Sequence, residues 1–272
     1  MMKLLCPKCR EELTLNNRIY RCRNNHCYDQ AKEGYVNLVL ANQKHSANPG
    51  DSSDSLISRA AFLSRGYYRK LAEGLCGVLC EYLKDGDVLL DAGCGTGYYL
   101  NYIINNLPLK LEYFGCDVAK KGVAMSARSC PEATLFVGNV FHLPVADRSL
   151  DALMSVFCPY SGEEFARVVK NGGYVIAVTP GKEHLYQIKE LVYEHPYYND
   201  KAGYDLPGFE LVKQFNIRYE ADFENNEDIS TLWNMTPYVH TTSYSDNQKV
   251  FALSFITSTV DFLVSVYRKE ER

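Results

Sequence analysis

Five side chains that can bind a metal ion fall within the first 27 residues of this 272-residue chain. Cys6 and Cys9 form a C-x2-C pair, and Cys22 follows after a gap of twelve residues, with His26 and Cys27 close behind it. Thiolate and imidazole groups at this spacing are typical of a structural zinc site, in which four ligands surround the metal as a tetrahedron. Since five groups cannot fill four positions, either His26 or Cys27 is left over.

Metal binding also accounts for the folding of this N-terminal segment. Residues 1–37 are too few to bury enough apolar surface unaided, whereas a structural zinc site contributes roughly 10 to 16 kcal/mol. The chain starts without the apolar stretch of an export signal, so we expect a cytoplasmic protein with reduced thiols. The six remaining cysteines are then expected to fill core positions; they are Cys76, Cys80, Cys94, Cys116, Cys130 and Cys158.

A glycine-rich turn follows an apolar run that begins at Val88. The dinucleotide fingerprint G-x-G-x-x-G/A needs a small residue where this chain has Tyr98, which disfavours NAD and FAD. The turn instead resembles the D-x-G-x-G-x-G pattern of class I methyltransferases, whose glycines let the backbone approach the methionine part of S-adenosylmethionine. Asp117 stands where the end of the next strand would place a carboxylate on both ribose hydroxyls. The matching positions of the turn are Asp91, Gly93, Gly95 and Gly97.

Two further loops follow predicted strands of the same domain. Residues 138–144 resemble the loop that flanks adenine in methyltransferases, with Asn139 where an acid is often found. Residues 157–160, Phe-Cys-Pro-Tyr, follow the fourth predicted strand, where enzymes of this class line the pocket for the methyl acceptor. An aromatic ring there could stack on a flipped base. The alternative is that these residues only close the sheet.

Short apolar runs alternate with helical periodicity from residue 87 onward, which predicts a doubly wound parallel sheet. The predicted strands are 87–93, 111–118, 134–140, 150–157 and 174–180, with helices at 98–106, 120–129, 162–170 and 183–193. Asn171-Gly172-Gly173 is expected to end the third helix as a C-cap. Beyond it we expect a strand at 209–220, a helix at 228–233 and a terminal strand with Val260, Phe262, Val264 and Val266 on one face.

The domain boundaries follow from composition. Residues 1–37 form the predicted zinc-binding, RNA-recognition module, and 38–84 hold a polar linker at 41–55 and two helices that lead into the catalytic domain at 85–272. Residues 1–50 carry eight Lys and Arg against four acids, although the whole chain has a net charge of -4. This asymmetry suits a basic arm that contacts RNA, or simply a solvated surface. We expect the module to govern RNA affinity but not cofactor affinity.

Several motifs together resemble the RlmA-type 23S rRNA (guanine-N1)-methyltransferases, which include the tylosin-resistance enzymes. Besides the cysteines and the glycine turn, they are Asp29-Gln30-Ala31-Lys32-Glu33-Gly34-Tyr35-Val36-Asn37-Leu38, Pro49-Gly50-Asp51-Ser52, Arg59-Ala60-Ala61-Phe62-Leu63, Ala166-Arg167-Val168-Val169-Lys170, Thr179-Pro180-Gly181 with His184-Leu185, and Met235-Thr236-Pro237. The resemblance implies a class I S-adenosylmethionine methyltransferase with an N-terminal zinc finger, often a homodimer. Its target is N1 of a guanine in hairpin 35 of 23S rRNA.

The resemblance also implies residue roles. Zinc would be held by Cys6, Cys9, Cys22 and His26, and the cofactor by Tyr68 and His184 in addition to Thr96 and Gly97 of the turn. For the base that removes the N1 proton, the residues suggest Tyr160, Cys158 or His142, and loss of the proton to water is an equal alternative.

Two other functions are compatible with parts of the sequence. A small-molecule methyltransferase of the quinone-biosynthesis type shares the cofactor motif but has no need of a basic zinc module. A zinc-ribbon interaction protein with a methyltransferase fold as scaffold is disfavoured by the intact set from Asp91 to Asp117. Cofactor binding separates these alternatives.

Overall fold

The computed structural model of the chain describes residues 2–40, 52–199 and 203–271. Most of the predicted linker at 41–55, and the motif residues 49–51, lie outside the described residues. The strands are β1 (Thr14–Asn16), β2 (Ile19–Arg21), β3 (Cys27–Asp29), β4 (Val36–Asn37), β5 (Val88–Ala92), β6 (Glu112–Asp117), β7 (Thr134–Val137), β8 (Leu150–Val156), β9 (Val169–Pro180), β10 (Phe209–Phe223) and β11 (Ile256–Lys269).

The helices come between these strands or connect them. They are α1 (Ser53–Ser64), α2 (Arg69–Tyr82), α3 (Tyr98–Asn106), α4 (Lys120–Ser129), α5 (Gly162–Val168), α6 (Tyr186–Val192), α7 (Asn226–Asn234), α8 (Tyr238–Thr241) and α9 (Tyr244–Phe251). No helix in the described part of the chain is long and apolar enough to cross a membrane.

One sheet of eight strands, in the order β10-β11-β9-β8-β5-β6-β7-β4, organises the molecule. Strands β4 to β9 pair in parallel, while β11 runs antiparallel to both β9 and β10. The chain winds outward from β5 in one direction through β6 and β7, and from β8 in the other direction. The predicted class I methyltransferase fold is confirmed. The prediction of a parallel sheet needs one correction: β11 lies antiparallel between β9 and β10, so the sheet is mixed.

Both faces of the sheet are covered, because neighbouring residues of a buried parallel strand point to opposite sides. Leu89 of β5 joins an apolar cluster with α2, α6 and α7, whereas Leu90 joins a second cluster that holds Phe165 of α5. This second cluster also contains apolar side chains of the first 38 residues, among them Leu4 and Leu38. The N-terminal segment therefore shares a core with the catalytic domain.

The N-terminal segment forms a three-stranded sheet, β1-β2-β3, which we call the zinc ribbon (residues 2–35). Its continuation, β4, pairs in parallel with β7 and becomes the last strand of the large sheet. The predicted module at 1–37 thus gives its final two residues to the catalytic sheet. Only a short pairing is needed for this, Val36 with Phe136 and Asn37 with Val137.

Helices α3 and α4 have the predicted bounds, but the region after α5 does not. Asn171-Gly172-Gly173 lies inside β9 and is not the C-cap of the third helix, because Val169 pairs with Leu150 and the helix ends at Val168. Three extra residues on β9 then bulge out before Tyr174 pairs with Ala152, with Gly172 at φ +74°. Helix α6 likewise starts at Tyr186 rather than at residue 183, after Leu185 in the left-handed region.

Candidate functional site

A cavity of about 1590 Å³ opens at the carboxyl ends of the parallel strands. Its wall is built from the loops that follow β5, β6, β7 and β8, and from the end of β9. Pockets for one small ligand usually measure about 300 to 1,000 Å³, so this cavity has room for two ligands side by side. In open α/β sheets, the reversal of strand order, here between β5 and β8, is where ligands bind.

The glycine turn after β5 lies on the cavity wall, and its glycines are required for different reasons. Gly95 has φ +51°, and a Cβ built on it would meet no atom within 4 Å, so the backbone is open to a ligand on that side. A Cβ on Gly93 would lie 2.3 Å from Sγ of Cys158, and one on Gly97 would lie 2.5 Å from Oγ of Ser126. Gly97, the N-cap of α3, must therefore lack a side chain so that Ser126 can pack against the turn.

Asp117 ends β6 opposite this turn. One carboxylate oxygen accepts a hydrogen bond from the Gly95 N–H at 2.9 Å, and the other accepts from the Ala119 N–H at 2.8 Å. Each oxygen has further acceptor capacity, because a carboxylate offers about four lone pairs. The structure thus places an oriented acceptor pair on the cavity wall, which suits two neighbouring ribose hydroxyls.

Asp91, the first residue of the glycine motif, is buried on the same wall. Desolvation, with the nearby Asp117 carboxylate as the second cause, raises the pKa of Asp91 to about 8. A cationic ligand would reverse this effect, because a positive charge favours the ionised carboxyl group. The arrangement fits the ammonium and sulfonium charges of S-adenosylmethionine.

Tyr68 and His184 are both buried and both reach the cavity wall. The two rings contact each other edge to face at 6.3 Å, and the ring of Phe262 packs against both, at 4.8 Å from Tyr68 and 5.2 Å from His184. The Asp261 N–H donates to Nδ1 of His184 at 3.2 Å, and burial lowers the pKa of His184 to about 4. His184 is therefore neutral at pH 7 and carries its proton on Nε2, where it can donate to a ligand.

The loop after β7, residues 138–142, forms the wall beside Asp117. The side-chain oxygen of Asn139 accepts from the Phe141 N–H at 3.0 Å, and the Asn139 carbonyl accepts from the His142 N–H at 2.9 Å. Asn139 therefore shapes the loop, and it lines the cavity. Phe141 and His142 are exposed on the cavity wall.

Three of the four predicted residues in the loop after β8 differ in their contact with the cavity. Phe157 lines the cavity with 41% of its surface exposed and has φ +53°, a strained conformation for a bulky residue. Cys158 also lines the cavity, and burial raises its pKa to about 12, so the thiol stays protonated. Tyr160 lies outside the wall: its ring stacks on Tyr204 at 3.8 Å, and its hydroxyl accepts from the Asp205 N–H.

Some residues of the wall were not predicted from the sequence as site residues. They are Arg59 and Leu63 of α1, Tyr204, and the group Leu232, Met235, Pro237 and Tyr238 around α7 and α8. Arg59 and Met235 belong to motifs on which the family resemblance rests, and that was the available signal. Tyr204 stands in no motif, so the sequence offered no signal for it. Only tertiary folding brings the segment before β10 to the cavity.

Cys6, Cys9, Cys22 and His26 meet at one point of the zinc ribbon, with their ligand atoms all within 4.8 Å of one another. Cys9 Sγ lies 3.7 Å from Cys22 Sγ, and Nδ1 of His26 lies 3.4 Å from Cys6 Sγ and 3.5 Å from Cys22 Sγ. A tetrahedron with zinc bonds of about 2.0 Å to nitrogen and 2.3 Å to sulfur has edges of about 3.5 to 3.8 Å. The four side chains therefore fit a zinc ion.

Cys27 and Tyr28 directly follow His26 in the chain and differ in their contacts. The Cys27 thiol is exposed and donates to the Asn25 carbonyl at 3.4 Å, whereas the Tyr28 hydroxyl lies 3.1 Å from Cys6 Sγ and can donate to a thiolate there. A hydrogen bond from the Glu11 backbone N–H is the main reason that the pKa of Cys9 falls to about 6. A thiol that ionises easily is a ready zinc ligand.

The choice between His26 and Cys27 as fourth ligand is testable by metal content. Replacing His26→Ala should lower zinc affinity by at least about tenfold, because it removes one of four bonds to the metal. The variant Cys27→Ser should keep one zinc per chain with wild-type affinity. Titration with a chromogenic chelator measures both, and zinc loss from the Cys27→Ser protein alone would assign the ligand to Cys27.

The raised pKa of Asp91 predicts a pH dependence of cofactor binding. Below pH 8 the carboxyl group must lose a proton before it can pair with the cation, so the Kd for S-adenosylmethionine should fall by up to about tenfold per unit as pH rises from 6 to 8. The variant Asp91→Asn should bind more weakly and without this dependence, while the exposed control Asp222→Asn should behave as wild type. Calorimetry that finds a constant wild-type Kd over this range would contradict the assignment.

Comparison with known proteins agrees with both parts of the site. Residues 4–47 match the family model for the zinc ribbon of RlmA, N-terminal, and residues 89–173 match a model for a methyltransferase domain. The 23S rRNA (guanine(748)-N(1))-methyltransferase of Streptomyces fradiae is 32% identical over 79% of this chain and 78% of its own length.

A second relative spans almost the whole chain. The protein of Micromonospora griseorubida with the name "Putative 23S rRNA (guanine-N(1)-)-methyltransferase" is 30% identical over 97% of each chain. The residues matched by the zinc-ribbon model include the tetrahedral ligand cluster, and those matched by the methyltransferase model include the glycine turn. The chain therefore belongs to the family of the 23S rRNA (guanine-N1)-methyltransferases, enzymes that use S-adenosylmethionine as methyl donor and carry an N-terminal zinc ribbon.

Proposed function

We propose that this enzyme methylates N1 of a guanine in the loop of hairpin 35 of 23S rRNA. The Streptomyces fradiae relative is named as a methyltransferase of guanine 748 at N1, which supports guanine as the target base and N1 as the target atom. The structural observation that carries the proposal is the size of the cavity, which continues from the cofactor turn to the exposed ring of Phe157. Cofactor and acceptor can therefore occupy one cavity.

A nucleobase can reach this cavity only out of its stack. N1 lies on the Watson–Crick edge of guanine, so the base must be unpaired, which is least costly in the loop of a hairpin. Phe157 offers an exposed ring on the wall and Phe141 offers a second ring on the loop after β7. Stacking on aromatic side chains is worth about 1 to 3 kcal/mol per base.

The chemistry requires that guanine N1 lose its proton as the methyl group arrives. S-adenosylmethionine supplies that methyl group from its sulfonium centre. Of the three predicted bases, Cys158 is held protonated by its raised pKa, and the hydroxyl of Tyr160 is engaged with the backbone away from the wall. We assign the role to His142, which lies exposed on the wall and whose imidazole ring offers a nitrogen atom as proton acceptor.

The zinc ribbon is the proposed contact for RNA outside the target base. Part of its positive charge is already neutralised, since Lys3 pairs with Glu12 and Arg23 pairs with Glu11. Lys8, Arg21 and Lys32 are exposed and are the candidates for phosphate contacts. Each such contact should make the slope of log affinity against log salt more negative by about 0.7 for single-stranded RNA.

Phe157→Ala tests whether the base stacks in this cavity. Loss of the stacking energy should lower kcat/KM for rRNA by about 5- to 150-fold. The control is Phe255→Ala, an exposed ring that does not line the cavity. Since N1-methylguanine cannot pair, primer extension reports modification as a stop in hairpin 35. A stop at another site, or equal rates in both variants, would contradict the proposal.

His142→Ala tests the proton acceptor. If His142 takes the N1 proton, kcat should fall about 100-fold or more while the Kd for S-adenosylmethionine stays within twofold. His195→Ala, an exposed histidine away from the cavity wall, serves as control. Single-turnover methylation of 23S rRNA provides the rate constant, and an unchanged value would leave water as the acceptor.

A further inference from the structure

The zinc ribbon is joined to the loop that follows β7 by backbone hydrogen bonds. The Leu5 N–H donates to the Pro144 carbonyl at 2.7 Å, and Leu4 forms an isolated antiparallel bridge with Val145. Leu4 and Val145 are both buried in the shared core. The ribbon thus lies against residues 143–145. These residues directly follow residues 138–142, which line the cavity and which we call the cofactor loop.

Two arginines from different parts of the molecule hold the same two carbonyl groups of this segment. Arg10 of the ribbon donates to the carbonyls of Leu143 and Val145, at 3.2 Å each. Arg167 of α5 donates to the same carbonyls, at 2.9 Å each. We call Arg10, Arg167 and these two carbonyls the arginine clamp.

The position of Arg10 depends on the metal centre. Its N–H donates to the Cys6 carbonyl at 2.8 Å, which closes the turn that contains both Cys6 and Cys9. Arg10 itself has φ +62°, a conformation that a non-glycine residue adopts only where its surroundings impose it. The turn held by zinc therefore determines where the Arg10 side chain starts.

The loop of the cofactor cavity is fixed at its two ends. At one end the Gly138 N–H donates to the Asp117 carbonyl at 3.0 Å, and at the other end the arginine clamp holds Leu143. The residues between these points, 139–142, all line the cavity. A change at the clamp would move the part of the wall that faces adenine.

We propose that Arg10 is a positioning residue through which the metal-loaded zinc ribbon holds the cofactor loop in its binding conformation. Zinc binding and cofactor binding are then coupled: each raises the affinity for the other by the same factor. This differs from the expectation from the sequence that the module governs RNA affinity but not cofactor affinity. The inference rests on cofactor binding in this cavity and is independent of which guanine is methylated.

The first test compares two ribbon arginines. In Arg10→Asn, the new residue tolerates a positive φ and so preserves the turn, but it cannot reach the clamp. Its Kd for S-adenosylhomocysteine should rise about 5- to 20-fold by calorimetry, with one zinc still bound per chain. Arg10→Lys should be intermediate, and the control Arg23→Asn, whose partner is Glu11, should bind as wild type.

The second test reads the coupling from the metal side and needs no RNA. Saturating S-adenosylhomocysteine should tighten zinc binding in the full wild-type chain by the factor by which zinc tightens S-adenosylhomocysteine binding. Zinc retention is measured as the chelator concentration that removes half of the metal. Arg10→Asn should abolish this effect, and Arg23→Asn should retain it. Equal cofactor affinity in wild type and Arg10→Asn, or zinc retention that ignores the cofactor, would overturn the inference even if the enzyme methylates hairpin 35.

Discussion

The reversal of strand order between β5 and β8 is the constraint on which the molecule depends. The chain leaves these adjacent parallel strands toward opposite sides, so a crevice must open at their carboxyl ends. The glycine turn follows one strand and the Phe157 loop follows the other, which brings cofactor and acceptor residues to one wall. Placing the two reactants side by side supplies much of the rate gain in a transfer that needs an in-line approach.

The contact between Gly93 and Cys158 shows how closely the two sides of the crevice are fitted. No side chain larger than hydrogen fits at Gly93, because Cys158 already occupies that space. Cys158 is thus best understood as a packing residue, in agreement with its raised pKa. The reactive geometry is carried by close backbone approach, which explains why the motif at this turn is written in glycines.

The zinc ribbon has a larger structural role than a tethered RNA-binding arm. Its apolar side chains enter the same cluster as Leu90 and Phe165, its last residues extend the sheet through β4, and Arg10 joins Arg167 in the arginine clamp. Several of its charges serve internal ion pairs and carbonyl contacts rather than a free basic surface. The ribbon is consequently packed as a part of the catalytic domain, and a metal ion bound there would stabilise both.

The sequence by itself determined the features that short-range chemistry dictates. The cysteine spacing predicted the zinc ribbon, the glycines and Asp117 predicted the cofactor and the fold, and α3 and α4 have the predicted bounds, since turn residues and apolar periodicity act locally.

What only the tertiary structure decided depends on residues far apart in the chain. Pairing of Val169 with Leu150 outweighed the C-cap signal of Asn171-Gly172-Gly173, burial keeps the Cys158 thiol protonated, and stacking on Tyr204 removed Tyr160 from the wall. The arginine clamp joins residues more than 130 positions apart, and no local pattern encodes such a contact, because two carbonyl groups carry no sequence signal.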